Sequence, residues 1–358
     1  MIKVLGLALY GPLAASHRYR LGQYVTGLAE AGIDLKIFHL LGDDYLRAKF
    51  NNVNLPFLSM LSSGISRLHQ LWLQNEYDII ILQYELFPFI PGWLERALIK
   101  SPYIYDFDDA FYLKYSSGKN TLINTLLGAK FDTVIAGASA VTAGNHVLTE
   151  YSKRLNESVF YLPTVVDSDR YLPNVNRRGT CIFTVGWIGS PSTAVYLSKL
   201  IQPLSRLGLE GSVRLIVIGG KAPVIPNIIV DEIIWDELTE IEFINSFDVG
   251  VMPLPDDDWA RGKCAFKLIQ YMACALPVIA SPVGANISVV GNECGFLPTS
   301  NEDWLEAFRI VRDQKVSRTR MGEMGRTRVQ QHYSLHQKLP VLTGVIREVA
   351  QKKNKDKL

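Results

Sequence analysis

The stretch from Pro255 to Lys267 concentrates groups that could hold an anion. Asp256, Asp257 and Asp258 stand just ahead of Arg261, Gly262, Lys263 and Lys267, where an apolar pattern predicts a helix over Lys263–Cys274. Cations crowded at a helix N-terminus oppose its dipole, at a cost of about 0.3–1 kcal/mol each. A bound diphosphate would reverse the sign of that cost. The competing reading is that the three aspartates neutralise the cations. On the helix itself Lys263, Lys267, Gln270 and Cys274 fall at i, i+4, i+7 and i+11 and share one face, with Phe266, Leu268, Ile269 and Met272 turned to the core. A polar stripe bearing a glutamine on so apolar a helix suggests a ligand; plain exposure is the alternative.

Two further loops have the chemistry of an anion cradle. Gly186-Trp187-Ile188-Gly189-Ser190-Pro191-Ser192-Thr193 leads from an apolar run into a helix, with Ser190 suited to the N-cap and Pro191 to the first helical position. Capping explains those two residues. Gly189, Ser192 and Thr193 beside free N–H groups also suit a diphosphate. The run is neither G-x-G-x-x-G nor a Walker motif. Gly11-Pro12-Leu13-Ala14-Ala15-Ser16, followed by His17, Arg18 and Arg20, has the same character, and an ordinary tight turn explains it equally well.

A third kind of site is acidic. Asp106, Asp108 and Asp109 close the run Tyr105-Asp106-Phe107-Asp108-Asp109-Ala110. Carboxylates this close repel, which implies a metal, cationic partners or a raised pKa. An Asp-x-Asp pair is also a common surface pattern. Glu85, at the end of Ile79–Gln83, reads as a loop carboxylate.

These loops need a frame, and the rest of the chain supplies one. Its 358 residues exceed the size at which single cores usually split, so two domains are expected. Short apolar runs alternate with amphipathic stretches, the pattern of βαβ units. Strands are expected at Val4–Leu9, Leu35–His39, Ile79–Gln83, Tyr103–Asp106, Thr133–Ala136, Ala140–Ala143 and Val159–Leu162, then at Ile182–Ile188, Arg214–Ile218, Ile228–Ile234, Val249–Pro253, Pro277–Ala280 and Gly295–Leu297. Helices are expected at Ser16–Ala31, Gly64–Gln74, Gly118–Phe131, Asn145–Leu155, Pro191–Leu207, Leu238–Phe247, Asp303–Arg312 and Ser317–His332. The fold class is α/β: two Rossmann-like, doubly wound domains facing across a cleft. The first spans 1–165, a linker 166–180, the second 181–335, and a helix over 336–358 packs back on the first domain. In open parallel sheets ligands bind beyond the carboxyl ends of strands, where all these loops fall.

A net charge of +2, with no basic stripe beyond the tail Lys352–Lys357, argues against a nucleic-acid partner. The four cysteines, Cys181, Cys264, Cys274 and Cys294, form no Cys-x-x-Cys pair and read as reduced, buried thiols. MIKVLGLALYGPLAA could pass for a signal peptide, but Val4–Leu9 suits a buried parallel strand better. No apolar run reaches spanning length. In Asn51–Gln74, Phe57, Leu58, Leu61, Ile65, Leu68 and Trp72 stand near helical spacing and read as core rather than as a lipid groove.

Several of these segments resemble the GT-B glycosyltransferases, and within them the retaining enzymes of glycosyltransferase family four. DVGVMPL and RGKCAFKLIQYMACALPVIASPVGANISVV, within Asp248–Val290, resemble that family's donor-binding core, and ECGFLP the segment after it. FTVGWIGSPSTAVYL resembles the loop under the donor diphosphate. YDFDDAFY, AGNHVLTEYS and YLPTVVDSDRY resemble segments of the first domain and linker. The resemblance implies a sugar transferred with retention from a nucleoside diphosphate sugar to a saccharide or lipid-linked acceptor, in polysaccharide biosynthesis, with no metal or other cofactor required. It implies donor contacts from Gly11, Gly189, Ser190, Ser192, Thr193, Arg261, Gly262, Lys263, Lys267 and Gln270, the last on the ribose, and catalytic roles for Asp108, Asp109 and Lys263. The sequence departs from the family at three places. Gly262 and Gln270 stand where it has two glutamates, so Asp257 or Asp258 is left to meet the sugar. Asp108 and Asp109 stand where it has His-Asp, and hydroxyls replace its usual Arg and Lys after the first strand of the second domain. The expected location is the cytoplasm, with room for peripheral membrane contact. A nucleotide-sugar epimerase of the same fold, a non-catalytic binding subunit and, given a signal peptide, a secreted two-lobed binding protein remain as alternatives.

Overall fold

In the computed structural model the described residues are 1–51, 53–116, 121–174 and 181–355. The chain divides into two compact units. Unit 1 comprises Met1–Val165, Gly262–Cys264 and Leu335–Leu358, and unit 2 comprises Val166–Arg261 and Ala265–Ser334.

Unit 1 is built on six parallel strands: β1 (Ile2–Tyr10), β2 (Ile33–Leu41), β3 (Ile79–Gln83), β4 (Tyr103–Phe107), β5 (Ala140–Ala143) and β6 (Val159–Tyr161). Their order is β2-β1-β3-β4-β5-β6. Both faces of such a sheet are covered, which is why β1 is an unbroken apolar run, buried from Val4 to Leu9. The order reverses between β1 and β3, so the crevice beyond their carboxyl ends receives the Gly11–Ser16 loop and the chain after Gln83. The helix Leu335–Lys355 also counts in unit 1. A Cβ at Gly27 would lie 2.4 Å from Leu339, and the Arg347 guanidinium donates to the Ala31 carbonyl at 2.8 Å.

Unit 2 repeats the architecture with β7 (Phe183–Ile188), β8 (Val213–Ile218), β9 (Ile229–Ile233), β10 (Val249–Met252), β11 (Val278–Ala280) and β12 (Gly295–Phe296), ordered β12-β11-β10-β7-β8-β9. Counted from β7, this is the 3-2-1-4-5-6 order of doubly wound nucleotide-binding sheets. Its switch point lies between β7 and β10. Val185, Trp187, Leu197, Leu204, Leu215, Val251 and Phe308 are among the residues that fill its core.

Several local expectations need correction. Thr133–Ala136 is the end of a helix, Lys130–Ala136, and not a strand. A run this short, Thr-Val-Ile-Ala, fits a strand or a buried helical turn equally, and here the helix abuts the Gly92–Leu98 helix so closely that a Cβ on Gly92 would sit 2.4 Å from the Lys130 carbonyl. The helix expected over Ser16–Ala31 breaks into Ala15–Arg20, a 3-10 turn at Gly22–Tyr24, and Val25–Glu30. That over Pro191–Leu207 is Pro191–Ala194, a 3-10 run Val195–Leu200, then Ile201–Glu210. Gly118–Phe131 falls partly outside the described residues; Thr121–Leu127 is helical. The linker reading lies partly outside them too, at 175–180. Of the cysteines, Cys181 is exposed and the other three are buried.

Candidate functional site

In unit 2 the expected cradle lies at the switch point. The Gly189 N–H donates to the Ile218 carbonyl at 3.0 Å, which fixes the turn after β7. A Cβ at Gly189 would meet Lys267 Cε at 2.6 Å and the Trp187 ring at 2.7 Å. Glycine is therefore what lets the Lys267 chain cross here. The Lys267 ammonium lies 5.4 Å from the centre of the buried Trp187 ring, a cation–π contact that holds the charge beside the loop. Ser190 Oγ stands 3.0 Å from Ser192 Oγ and 3.5 Å from Thr193 Oγ1. Ser190 is the N-cap, but its hydroxyl makes no capping bond. The helix that follows is one turn long before it tightens to 3-10, so its dipole is weaker than a long helix would supply.

The charged loop after β10 departs from expectation. No single helix runs over Lys263–Cys274. A one-turn helix, Asp258–Arg261, ends before Gly262, and the next begins only at Phe266 and runs to Ala273. Ala265, with φ 55°, is left-handed and separates them. Arg261 sits at the carboxyl end of its turn, where a cation suits the dipole. It is half-exposed and pairs with Asp256 at 2.7 Å and Asp258 at 3.4 Å, as the neutralised reading has it. The guanidinium holds the Asp256 carboxyl below its ordinary range. Asp257 accepts from the Ala260 N–H at 2.7 Å. Lys267 alone of the three cations lies in the first turn of the Phe266–Ala273 helix.

Gln270 is not on a solvated polar stripe. It is buried, and its amide nitrogen donates to the Tyr171 hydroxyl at 2.9 Å. That hydroxyl gives its one proton to Glu240, which also accepts from Trp235 Nε1 at 2.7 Å. The phenol oxygen can then only accept from residue 270, which requires an amide there and leaves Oε1 of Gln270 as an acceptor. Neither Tyr171 nor Glu240 is marked out by sequence spacing.

Unit 1 brings Asp108, Asp109 and Lys263 together at the carboxyl end of β4. Asp108 accepts from the Tyr84 hydroxyl and, at 2.9 Å, from Thr164 Oγ1. Asp109 lies 3.6 Å from the Lys263 ammonium. Asn145 caps the helix His146–Lys153 and donates to the Gly262 carbonyl at 2.6 Å and the Lys263 carbonyl at 3.2 Å. The Cys264 thiol donates to the Asp108 carbonyl at 2.7 Å, and burial pushes its pKa well up. Gly262 is buried against Ala110, whose Cβ would stand 2.4 Å from a Cβ at 262. Tyr84 adopts φ 65°, and burial with Asp108 and Asp109 nearby raises its pKa well above the ordinary value. No sequence signal pointed to Tyr84 or Thr164.

Asp106 does not join that group. Still within β4, it pairs with the buried Arg20 guanidinium, whose Nε lies 3.1 Å away, and accepts from Thr142 Oγ1 at 2.7 Å, whereas Asp108 lies past the end of the strand. Burial alone would lower the pKa of Arg20, but Asp106 more than reverses that. Among the described residues no group of three His, Cys, Asp or Glu is placed to hold a metal. Glu85 is no plain loop carboxylate: it is buried and takes Lys114, Lys130 at 2.7 Å and the Tyr115 hydroxyl at 2.9 Å. Gly11 makes a tight turn, accepting from the Ala14 N–H at 3.0 Å, and a Cβ there would lie 2.7 Å from Asp43 Oδ1. Arg18 folds back to donate to the Pro12 and Leu13 carbonyls at 2.6 and 2.8 Å.

Residues 181–313 match the family model described as Glycosyl transferases group 1. No curated protein matches the sequence. Solved structures do match at the level of fold. A sucrose-phosphate synthase from Thermosynechococcus elongatus is similar with a TM-score of 0.69 at 15% identity, over 98% of this chain and 99% of the other. HepE of Anabaena, solved with UDP and glucose, gives 0.66 at 13%, over 97% and 100%. A UDP-forming α,α-trehalose-phosphate synthase from Burkholderia xenovorans gives 0.62 at 12%, over 98% and 100%. The fold they share with the two parallel six-stranded sheets is GT-B.

Proposed function

We propose that this chain, with a match to group 1 glycosyl transferases over residues 181–313 and a GT-B fold, is a glycosyltransferase that moves a hexosyl group from a nucleoside diphosphate sugar to an acceptor hydroxyl. Unit 2 holds the donor. The observation that carries this is the switch-point loop Gly189–Thr193, where glycine admits the Lys267 ammonium beside the Trp187 ring and three hydroxyls gather at a helix start. A diphosphate there receives a cation, hydroxyl donors and free N–H groups, and electrostatic stabilisation of the leaving phosphate is the main contribution of the protein to rate. Oε1 of Gln270, oriented by Tyr171, accepts from a ribose hydroxyl. HepE, solved with UDP-glucose, is a fold relative with a donor of this class.

The acceptor is a saccharide or a lipid-linked saccharide held by unit 1, in polysaccharide assembly at the cytoplasmic face of a membrane. The bond from the anomeric carbon to the β-phosphate oxygen breaks, its electron pair leaving on phosphate. The acceptor oxygen bonds to the same face of that carbon, and its proton passes to the leaving phosphate. Asp108, held by Tyr84 and Thr164, and Asp109, beside Lys263, bind hydroxyls of the reactants. The Lys263 ammonium, 3.6 Å from Asp109, adds positive charge as the phosphate departs. No divalent ion is required, since lysine, hydroxyls and N–H groups carry the phosphate charge.

The test is a thermal-shift screen of the full chain against UDP-, GDP-, ADP- and TDP-sugars, followed by turnover of the hit with saccharide acceptors in excess chelator. A stabilising donor, activity that survives chelation and a first-formed product with retained anomeric configuration by proton NMR are expected. Activity lost on chelation and restored by manganese or magnesium, or an inverted linkage, contradicts the reading. Donor binding without turnover on any acceptor favours a binding subunit.

A further inference from the structure

Trp235, Glu240, Tyr171 and Gln270 form one line of hydrogen bonds within unit 2. Trp235 Nε1 donates to one carboxylate oxygen of Glu240 at 2.7 Å, the Tyr171 hydroxyl donates to the other, and the Gln270 amide nitrogen donates to the Tyr171 oxygen at 2.9 Å. Tyr171, Glu240 and Gln270 are buried, and Glu240 opens the helix Glu240–Ile244. Each link has a direction. An indole N–H only donates, a carboxylate only accepts, a phenol carries one proton, and an amide has one acceptor oxygen beside its donor nitrogen. With a carboxylate at 240, both neighbouring protons point toward it. Gln270 then meets Tyr171 through nitrogen and keeps Oε1 as an acceptor.

Changing one member reverses the others. An amide at 240 has a single oxygen, which Trp235 takes because it offers only a proton. The amide nitrogen then faces the Tyr171 oxygen, the Tyr171 proton turns to residue 270, and Gln270 answers with Oε1, leaving its NH2 for a ligand. A carboxylate at 270 with Glu240 still in place sets two acceptors on the one Tyr171 proton, so one buried acceptor goes unpaired. Exchanging both, with the amide at 240 and the carboxylate at 270, satisfies every link again and returns an acceptor to the ligand side. The line therefore has a polarity, and the Glu240 carboxylate sets it.

We propose that Glu240 is a positioning residue of the donor site: through the single Tyr171 proton it makes position 270 an acceptor toward the ribose. The proposal rests on the reading of unit 2 as the donor site. The test takes the full chain and, of UDP, GDP, ADP and TDP, the nucleotide that the parent binds most tightly, beside analogues with fluorine in place of each ribose hydroxyl, which lack the proton that Oε1 accepts. By calorimetry the parent is expected to bind at least one analogue about tenfold more weakly than the nucleotide. Glu240→Gln is expected to reduce that discrimination to less than about threefold, and Glu240→Gln/Gln270→Glu to restore it. Melting temperatures without ligand are expected to fall in Gln270→Glu and to recover in the double exchange. On a Tyr171→Phe background, which cuts the line, Glu240→Gln is expected to leave the discrimination unchanged. A purely structural Glu240 would lower stability without moving the discrimination. A parent that does not discriminate, parent-like discrimination in Glu240→Gln, or double-variant losses equal to the sum of the single ones overturns the proposal. Binding of none of the four nucleotides contradicts the donor reading and the proposal with it, and the unliganded melting temperatures tell that failure apart from failure of the line.

Discussion

The two units have one architecture and opposite chemistry at their switch points. Beyond β7 and β10 stand glycine, three hydroxyls and a lysine over an indole. Beyond β1, β3 and β4 stand Asp108, Asp109, Tyr84 and buried Glu85. A parallel sheet fixes where a ligand sits, not which one. The side chains decide that: unit 2 offers hydroxyls and a cation, which the proposal gives to an anion, and unit 1 offers carboxylates, which it gives to hydroxyl-rich molecules. The same contrast holds for two helices. Phe266–Ala273 buries six of its eight residues, Leu268 to Ala273, whereas Phe57–Trp72 leaves its apolar stripe outside.

The largest expected effect separates structure from chemistry within the acidic run. Asp106→Asn leaves Arg20 buried without its counter-charge and is expected to cost about 3–5 kcal/mol of stability. Asp108→Asn, which keeps an acceptor for one of Tyr84 and Thr164 and turns an amide donor to the other hydroxyl, is expected to cost far less stability while lowering turnover. Thermal unfolding and rate measurements on the two variants check this; equal destabilisation would merge the two carboxylates into one role.

Gln270 probes the other side of the comparison. Gln270→Leu removes the donor to Tyr171 and the acceptor proposed for the ribose, and is expected to cost about 1–3 kcal/mol in stability and donor affinity alike. Gln270→Glu is expected to be no better, because the single Tyr171 proton is already committed to Glu240. Calorimetry and unfolding of both variants, with Tyr171→Phe as the control, test the network.

The smallest effect is a pH dependence in unit 1. Burial, with His39 adding to it, lowers the pKa of His17 from 6.5 to about 4. The native state then binds fewer protons than the unfolded state between those values, so stability is lost as pH falls from about 6.5 to about 4. The melting temperature of His17→Asn relative to the parent is expected to rise across that window and to be flat above it.

Much of the frame was legible because parallel strands are buried on both faces and read as apolar runs: β1, β3, β7, β8 and β10 are all of this kind. What was not legible has local causes. Ala265 adopts a left-handed backbone with no glycine to announce it, so the helix expected from Lys263 begins only at Phe266. Arg20 and Asp106 are 86 residues apart, and nothing in either loop links them. The stripe on Phe57–Trp72 was read as core because periodicity gives the arc of a helix but not which side of it faces the protein. The loop at Gly189–Thr193 was legible in composition, yet the part of Trp187 under Lys267 was not.

The most direct test of the central claim, that unit 2 holds the donor diphosphate, is calorimetric titration of the best-stabilising nucleoside diphosphate sugar into parent, Lys267→Ala, Lys263→Ala, Lys352→Ala and Asp108→Asn chains. A charge-assisted contact contributes about 1.5–3 kcal/mol, so Lys267→Ala is expected to weaken binding about ten- to a hundredfold. Lys263→Ala is expected to weaken it less than that but more than the exposed Lys352→Ala, and Asp108→Asn to leave it near the parent value. Unchanged affinity in Lys267→Ala, or a loss confined to Asp108→Asn, would contradict the account.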